Sequence, residues 1–183
     1  ARAFYELKYK IHYLELKGNA FQDFFSNVMA KRYPADFMRV RPWGNKGDEK
    51  NDGYLKSKRM LFQVYAPDDM TEADAIRKID EDFNKALPHW EEYFDCWVFV
   101  HNGKQGLGPE QTKKLLSLGK ANPKITVIQW GFEEIRNELF ELSDADLSAL
   151  FGPPISRQDL LDLRSYHLKS VLDSLSKIKP PDD

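Results

Sequence analysis

The sequence predicts an α/β fold, a central mixed β-sheet of about five strands flanked by helices, with extra helices at both ends. Three observations predict it. From residue 37 onward, short β-branched and aromatic runs alternate with stretches of helical apolar period. The run "CWVFVH" at 96–101 is continuously apolar between polar flanks, as a strand buried on both faces requires. The stretch "GYLKSKRMLFQVYAP" at 53–67 reads as two short strands joined by a tight polar turn, a hairpin that adds antiparallel pairing to the sheet.

Taken in order, Phe4, Leu7, Ile11 and Leu14 recur at three- and four-residue steps and predict an amphipathic helix ending at the Gly18-Asn19 breaker. Phe21, Phe24, Phe25, Val28 and Met29 form the broad apolar stripe of a second helix, stopped by Pro34. "DFMRVRP" is a short strand, and the hairpin supplies strands at about 53–56 and 60–66. Thr71 with Asp74 resembles an N-cap arrangement opening a helix whose buried face carries Ile76, Ile79, Phe83 and Leu87, with Pro88 as its end. After "CWVFVH" come a helix at about 109–118, the strand "KITVIQW", a helix at about 132–142 and a short helix at 143–151 ended by Gly152 and the prolines behind it. Ser156 and Asp159 cap a last helix in which Leu161, Leu168 and Leu175 lie seven apart with Val171 and Ile178 between, a stripe expected to pack on the body, the alternative being a partner helix. The division expected is an α/β domain over 1–152 and a helical extension over 153–183.

A chain of 183 residues with 42% apolar content can bury a substantial core and is not disordered. Its formal charge of −2 excludes an overall polycation, so any nucleic acid must be met by a local basic patch. The single cysteine, Cys96, lies in an apolar run and reads as a buried reduced thiol rather than a nucleophile. No run approaches the length of a membrane span and no signal peptide is apparent, which points to a cytoplasmic protein without a membrane partner. The missing initiator Met is expected of an excised domain.

For chemistry, His12, His89, His101 and His167 are scattered without metal-ligand spacing, which argues against zinc, and a histidine at a strand end such as His101 is expected to be structural or solvated. "NGKQGLGPEQ" has glycines without the spacing of a phosphate loop and reads as a turn. The hairpin is the exception. Side chains alternate along a strand, so Gln63 and Tyr65 share a face, and Asp52 ends the acidic turn at the start of the partner strand, beside Gly53. These residues can meet at one end of the hairpin. A hard divalent ion needs carboxylate or carbonyl oxygens, of which Asp52 alone is anionic. The plain alternative is a solvated loop.

The order of a helix bearing "GNAFQDFF", then "GDEKNDG", then "FQVY" resembles the PD-(D/E)xK restriction-endonuclease-like superfamily, and within it the Mrr-like branch. The resemblance runs over about 18–67 by motif and to about 130 by element order. It implies a restriction-endonuclease-like fold and a nuclease site in which Gln22 stands for the helix glutamate, Asp52 is the metal-binding aspartate, Gln63 the second ligand, and Tyr65 occupies the place of the catalytic lysine. An amide and a phenol thus replace a negative and a positive charge. The wording "RPWGNKGDEKNDGYL" is also similar to amino-terminal effector domains of bacterial antiviral defence proteins of the ABC three-component kind, which implies attachment to further domains or subunits.

Two functions follow. In one, Asp52, the Gln63 side-chain oxygen and the Val64 carbonyl hold magnesium or manganese for DNA cleavage, with Lys56, Lys58 or Arg59 replacing the missing lysine. In the other, which the substitutions favour, a weak or inactive nuclease-like domain recognises nucleic acid, DNA before RNA, through Lys46, Lys50, Lys56, Lys58 and Arg59 around the same turn, extended by Arg39, Arg41 and Trp43. A protein–protein interaction module is a further alternative.

Overall fold

The computed structural model describes residues 1–40 and 52–175. Helix α1 (Arg2–Glu15) leads into α2 (Gly18–Arg32), and the chain then runs through β1 (Phe37–Arg39), β2 (Gly53–Leu55) and β3 (Met60–Tyr65). Helix α3 (Glu72–Trp90), strand β4 (Cys96–His101), helix α4 (Pro109–Ala121) and strand β5 (Thr126–Trp130) follow, then α5 (Phe132–Leu139), α6 (Asp144–Phe151) and α7 (Arg157–Leu175). The strands form one five-stranded sheet in the order β1-β2-β3-β4-β5. Strands β1 to β3 pair antiparallel as a meander, whereas β3, β4 and β5 run parallel, linked by α3 and α4 as crossovers. The mixed α/β sheet expected from the sequence is therefore present.

Alternation sorts the strand residues onto two faces. Phe62, Val98 and Val100 pack with α1, α2, α5 and α6 in one cluster, and Leu61, Trp97 and Phe99 pack with α3 and α4 in the other. Every residue of β4 from Trp97 to His101 is buried, as an interior strand demands. Gly53 is set by close approach, because a Cβ there would come within 2.6 Å of Cε2 of the Phe37 ring.

The α2 stripe is buried as its spacing predicts. The α1 stripe is different. Leu7 and Ile11 are exposed, and Tyr5, Tyr9 and Tyr13 face the core instead, at four-residue steps. Two of these phenols find main-chain acceptors inside, Tyr9 Oη donating to the Phe132 carbonyl at 2.6 Å and Tyr13 Oη to that of His101 at 3.0 Å, which is what makes a buried tyrosine face affordable. Pro88 lies within the last turn of α3 rather than ending it. The helix continues to Trp90, whose ring packs on Tyr54 and Tyr93. Thr71 caps α3 by accepting from the Asp74 amide at 3.1 Å, and Ser156 and Asp159 exchange hydrogen bonds in a full capping box. On α7 the expected packing of the stripe on the body is not found at Leu161, Leu168 and Val171, which are exposed, while Ile178 lies outside the described residues. No helix among the described residues is long and apolar enough to cross a membrane.

Candidate functional site

Three elements converge on Asp52. It precedes β2, and its amide donates to the Phe62 carbonyl at 2.8 Å, holding the residue against the carboxyl end of β3. Gln22 reaches it from the first turns of α2, whose start is docked on the same strand end by the Gly18 amide donating to the Ala66 carbonyl at 2.6 Å. The Gln22 amide nitrogen donates to Asp52 Oδ1, the Gln63 amide nitrogen to Oδ2 at 3.0 Å, and the Val64 main-chain N–H also to Oδ2 at 2.6 Å. The carboxylate thus stands where the antiparallel ladder would have placed main chain.

Gln63 is buried at 6% exposure, and its Oε1 has no hydrogen-bond partner among the described residues. Tyr65 shares its face as alternation predicts, yet the phenol is taken up by the α3 side. Its ring lies 6.0 Å from that of Phe99, and the charges acting on it are those of Asp74, Arg77, Lys78 and Asp82. Desolvation, the largest cause, raises its pKa.

The hairpin cations are placed elsewhere. Lys56, Lys58 and Arg59 form the turn between β2 and β3, four or more residues along β3 from Gln63, roughly 13 Å at strand rise. They cannot replace a lysine beside Asp52. Arg59, in the left-handed region at φ 49°, donates to Asp95 Oδ2 at 2.7 Å and to the Glu92 carbonyl at 2.9 Å. Lys58 Nζ lies 3.3 Å from Tyr33 Oη, and Lys56 and Lys58 are exposed. Arg39 is exposed and donates to Asn27. Lys46, Lys50, Arg41 and Trp43 lie outside the described residues.

Magnesium or manganese, implied by the resemblance, would have Asp52 as its one anionic ligand among these residues. The Gln63 amide turned about its last bond would offer the otherwise unpartnered Oε1 beside Asp52. The N–H and C=O of one strand residue point to the same side, so the Val64 carbonyl faces the β2 side with its amide. Asp52 is the only carboxylate in the set, and no group of three or more His, Cys, Asp and Glu is clustered among the described residues.

Two polar clusters were not legible as sites in the sequence. Asp82 is fully buried on the sheet side of α3 and is paired with Lys78 Nζ at 3.0 Å, one helical turn away. Its signal was available, a carboxylate three residues after Ile79 on an apolar stripe with a lysine four residues before it. His101 is structural, buried at the end of an interior strand. Its Nδ1 accepts from the Gly103 amide at 3.1 Å and its Nε2 lies 2.6 Å from Gln129 Oε1, which fixes the tautomer with the proton on Nε2. Burial lowers its pKa. A Cβ on Gly131 would come within 2.9 Å of the ring, so the imidazole is walled in. Beyond β3 and β4, a cleft of about 350 Å³ is lined by Lys17, Asp68, Asp69, Asn102, Lys104 and Gln111 among others.

No protein-family model matches the chain, and no curated protein matches it.

Proposed function

We propose that this chain is a divergent nuclease-like domain that recognises nucleic acid, DNA before RNA, with little or no hydrolysis of its own. The observation that carries the reading is the state of Asp52, whose carboxylate collects the amide hydrogens of Gln22, Gln63 and Val64 at the end of β3. The residues are those expected to form a nuclease site, and the amides supply its framework without its charges. A hydrolytic site needs a cation or proton carrier beside the attacked phosphate. Tyr65, standing where the resemblance calls for lysine, is a phenol whose pKa is raised, and the hairpin cations are roughly 13 Å away. Loss of such a group costs orders of magnitude in rate. A nucleic-acid backbone lying along the hairpin would meet Lys56 and Lys58, exposed at its other end. The similarity to effector domains of bacterial defence proteins supplies the setting, with invading DNA as the target.

A second reading, a magnesium-dependent endonuclease, draws on Gln63 Oε1, unpartnered among the described residues, and on Asp52 as the one anionic ligand for a hard ion. Both are tested together. A labelled duplex titrated in EDTA at low salt is expected to bind, with a log-log salt slope that shrinks by about one for each of Lys56→Gln and Lys58→Gln. Supercoiled plasmid with magnesium or manganese is expected to remain intact. Nicking abolished by Asp52→Ala establishes the endonuclease, and absence of any salt-dependent binding removes nucleic acid as the partner.

A further inference from the structure

Resting on the nucleic-acid reading, we propose that the cleft beyond β3 and β4 is a nucleobase site, taking the amino-bearing edge of cytosine or adenine from a free nucleotide or from an unpaired base of a strand. The cleft opens at the carboxyl ends of two parallel strands, where Pro67, Asp68 and Asp69 follow β3, Asn102 and Lys104 follow β4, and the first turn of α4 brings Gln111. Its volume of about 350 Å³ lies at the lower end of ligand pockets and suits one nucleoside.

Two buried amides decide what the cleft reads. Asn102 is 3% exposed, and its Nδ2 donates to two main-chain carbonyls, that of Leu16 at 3.4 Å and that of Pro67 at 3.3 Å. Carbonyls only accept, so this amide is held one way round. Its Oδ1, which has no partner among the described residues, is the end left for the cleft. Gln111 is 6% exposed and is held the opposite way, its Oε1 accepting from the Gly108 amide at the start of α4. Its Nε2, also without a partner among the described residues, is the end left over. The same cleft thus offers one fixed acceptor and one fixed donor. The complementary edge carries a donor beside an acceptor, as the amino group and neighbouring ring nitrogen of cytosine or adenine do.

The other lining residues favour the same ligand. Lys17 and Lys104 are matched in charge by Asp68 and Asp69, so a bare phosphate meets as much repulsion as attraction and a neutral base does not. The two carboxylates only accept, which adds to the demand for N–H donors and favours an amino base over uracil or hypoxanthine, whose carbonyl stands in place of the amino group. Pro67 and Met70, both half-buried, supply apolar contact for the faces of a ring.

The experiment titrates the whole nitrogen-labelled chain with cytidine, uridine, adenosine and inosine. Cytidine and adenosine are expected to shift the side-chain amide signals of Asn102 and Gln111 and to bind at least about fivefold tighter than uridine and inosine. Gln111→Glu keeps the acceptor that caps α4 and removes the donor, so the urea midpoint should hold while cytidine binding falls about fivefold or more. Anisotropy of labelled single strands separates the sources. A strand-borne base makes oligo-dC bind tighter than oligo-dT, a difference that Gln111→Glu removes, whereas a free nucleotide as ligand leaves the two strands equal while the nucleosides still discriminate. Absence of any preference for amino bases in both nucleosides and strands overturns the base site, as does a preference that Gln111→Glu leaves intact, and either leaves salt-dependent duplex binding, and with it the recognition reading, standing. Nucleoside discrimination without binding of any nucleic acid overturns that reading instead and assigns the cleft to free nucleotides.

Discussion

The two faces of the sheet are built from similar apolar residues and differ in how their aromatic polar atoms are met. On the face covered by α1, α2, α5 and α6, aromatic rings dominate, and the buried phenols of Tyr9 and Tyr13 each end on a main-chain carbonyl. Burial raises both of their pKa values, so they remain neutral donors. On the face covered by α3 and α4, the indole nitrogens of Trp90 and Trp97 and the Gln63 Oε1 are buried without partners among the described residues, and Asp82 is fully buried with Lys78 as its ion-pair partner. A buried polar atom left unpaired costs about 1–3 kcal/mol, and an ion pair taken from water seldom recovers its desolvation. The first face is a device for stability. The second tolerates costs that stability alone would remove, and the candidate site sits at its border, where the hairpin register sets Gln63 beside Asp52.

Several substitutions would break or sharpen that contrast. Phe62→Ala, in the centre of the first face, removes a fully buried ring packed against Phe25, Phe37 and Trp130. It should lower stability by about 3–5 kcal/mol in a urea titration. Asp52→Ala, at the border, takes the acceptor from three amide donors that are partly open to water. About 1–3 kcal/mol is expected by the same measurement, a loss well below that of Phe62→Ala. A loss equal to or above it would mean that Asp52 is chiefly structural.

A smaller effect concerns pH. Because burial holds the His101 pKa below its usual 6.5, the unfolded chain takes up a proton there that the folded chain refuses. This contribution to stability is complete above about pH 6.5 and is lost as pH falls below it. His101→Gln should flatten the acid side of a plot of denaturation midpoint against pH, and an unchanged slope would assign the acid loss to other groups. The smallest effect belongs to Cys96, half-buried against the first core, whose thiol is pushed up to about 11 by burial. A thiol reagent at about pH 8 should label it slowly in the folded chain and rapidly in urea, with no change in stability for Cys96→Ser beyond about 1 kcal/mol.

The order of elements was readable because its punctuation is strong. Gly18, Pro34, Thr71 and Gly152 each stand at a boundary that local chemistry enforces, and "CWVFVH" could hardly be anything but an interior strand. The buried side of α1 was not readable from aliphatic spacing, because tyrosine is apolar only where its hydroxyl finds an acceptor, and the acceptors belong to Phe132 and His101, far along the chain. Pro88 misled for a related reason, since a proline in a last turn forfeits one hydrogen bond and packing of Trp90 compensates. For the site, hairpin register was enough to bring Asp52 to Gln63. The neighbours of Tyr65 come from α3, which no local pattern can position.

The Val64 amide gives the molecule an internal gauge. Its proton is held by a carboxylate oxygen at 2.6 Å, at a place where a strand would ordinarily offer it to a neighbouring carbonyl. Such a proton resonates far downfield, and it exchanges with solvent only when Asp52 lets go. Anything that draws on the Asp52 oxygens, whether a cation or a proton, must therefore move one well-separated amide signal. A single nitrogen-labelled sample would register occupancy of this strand end directly, before any ligand has been named.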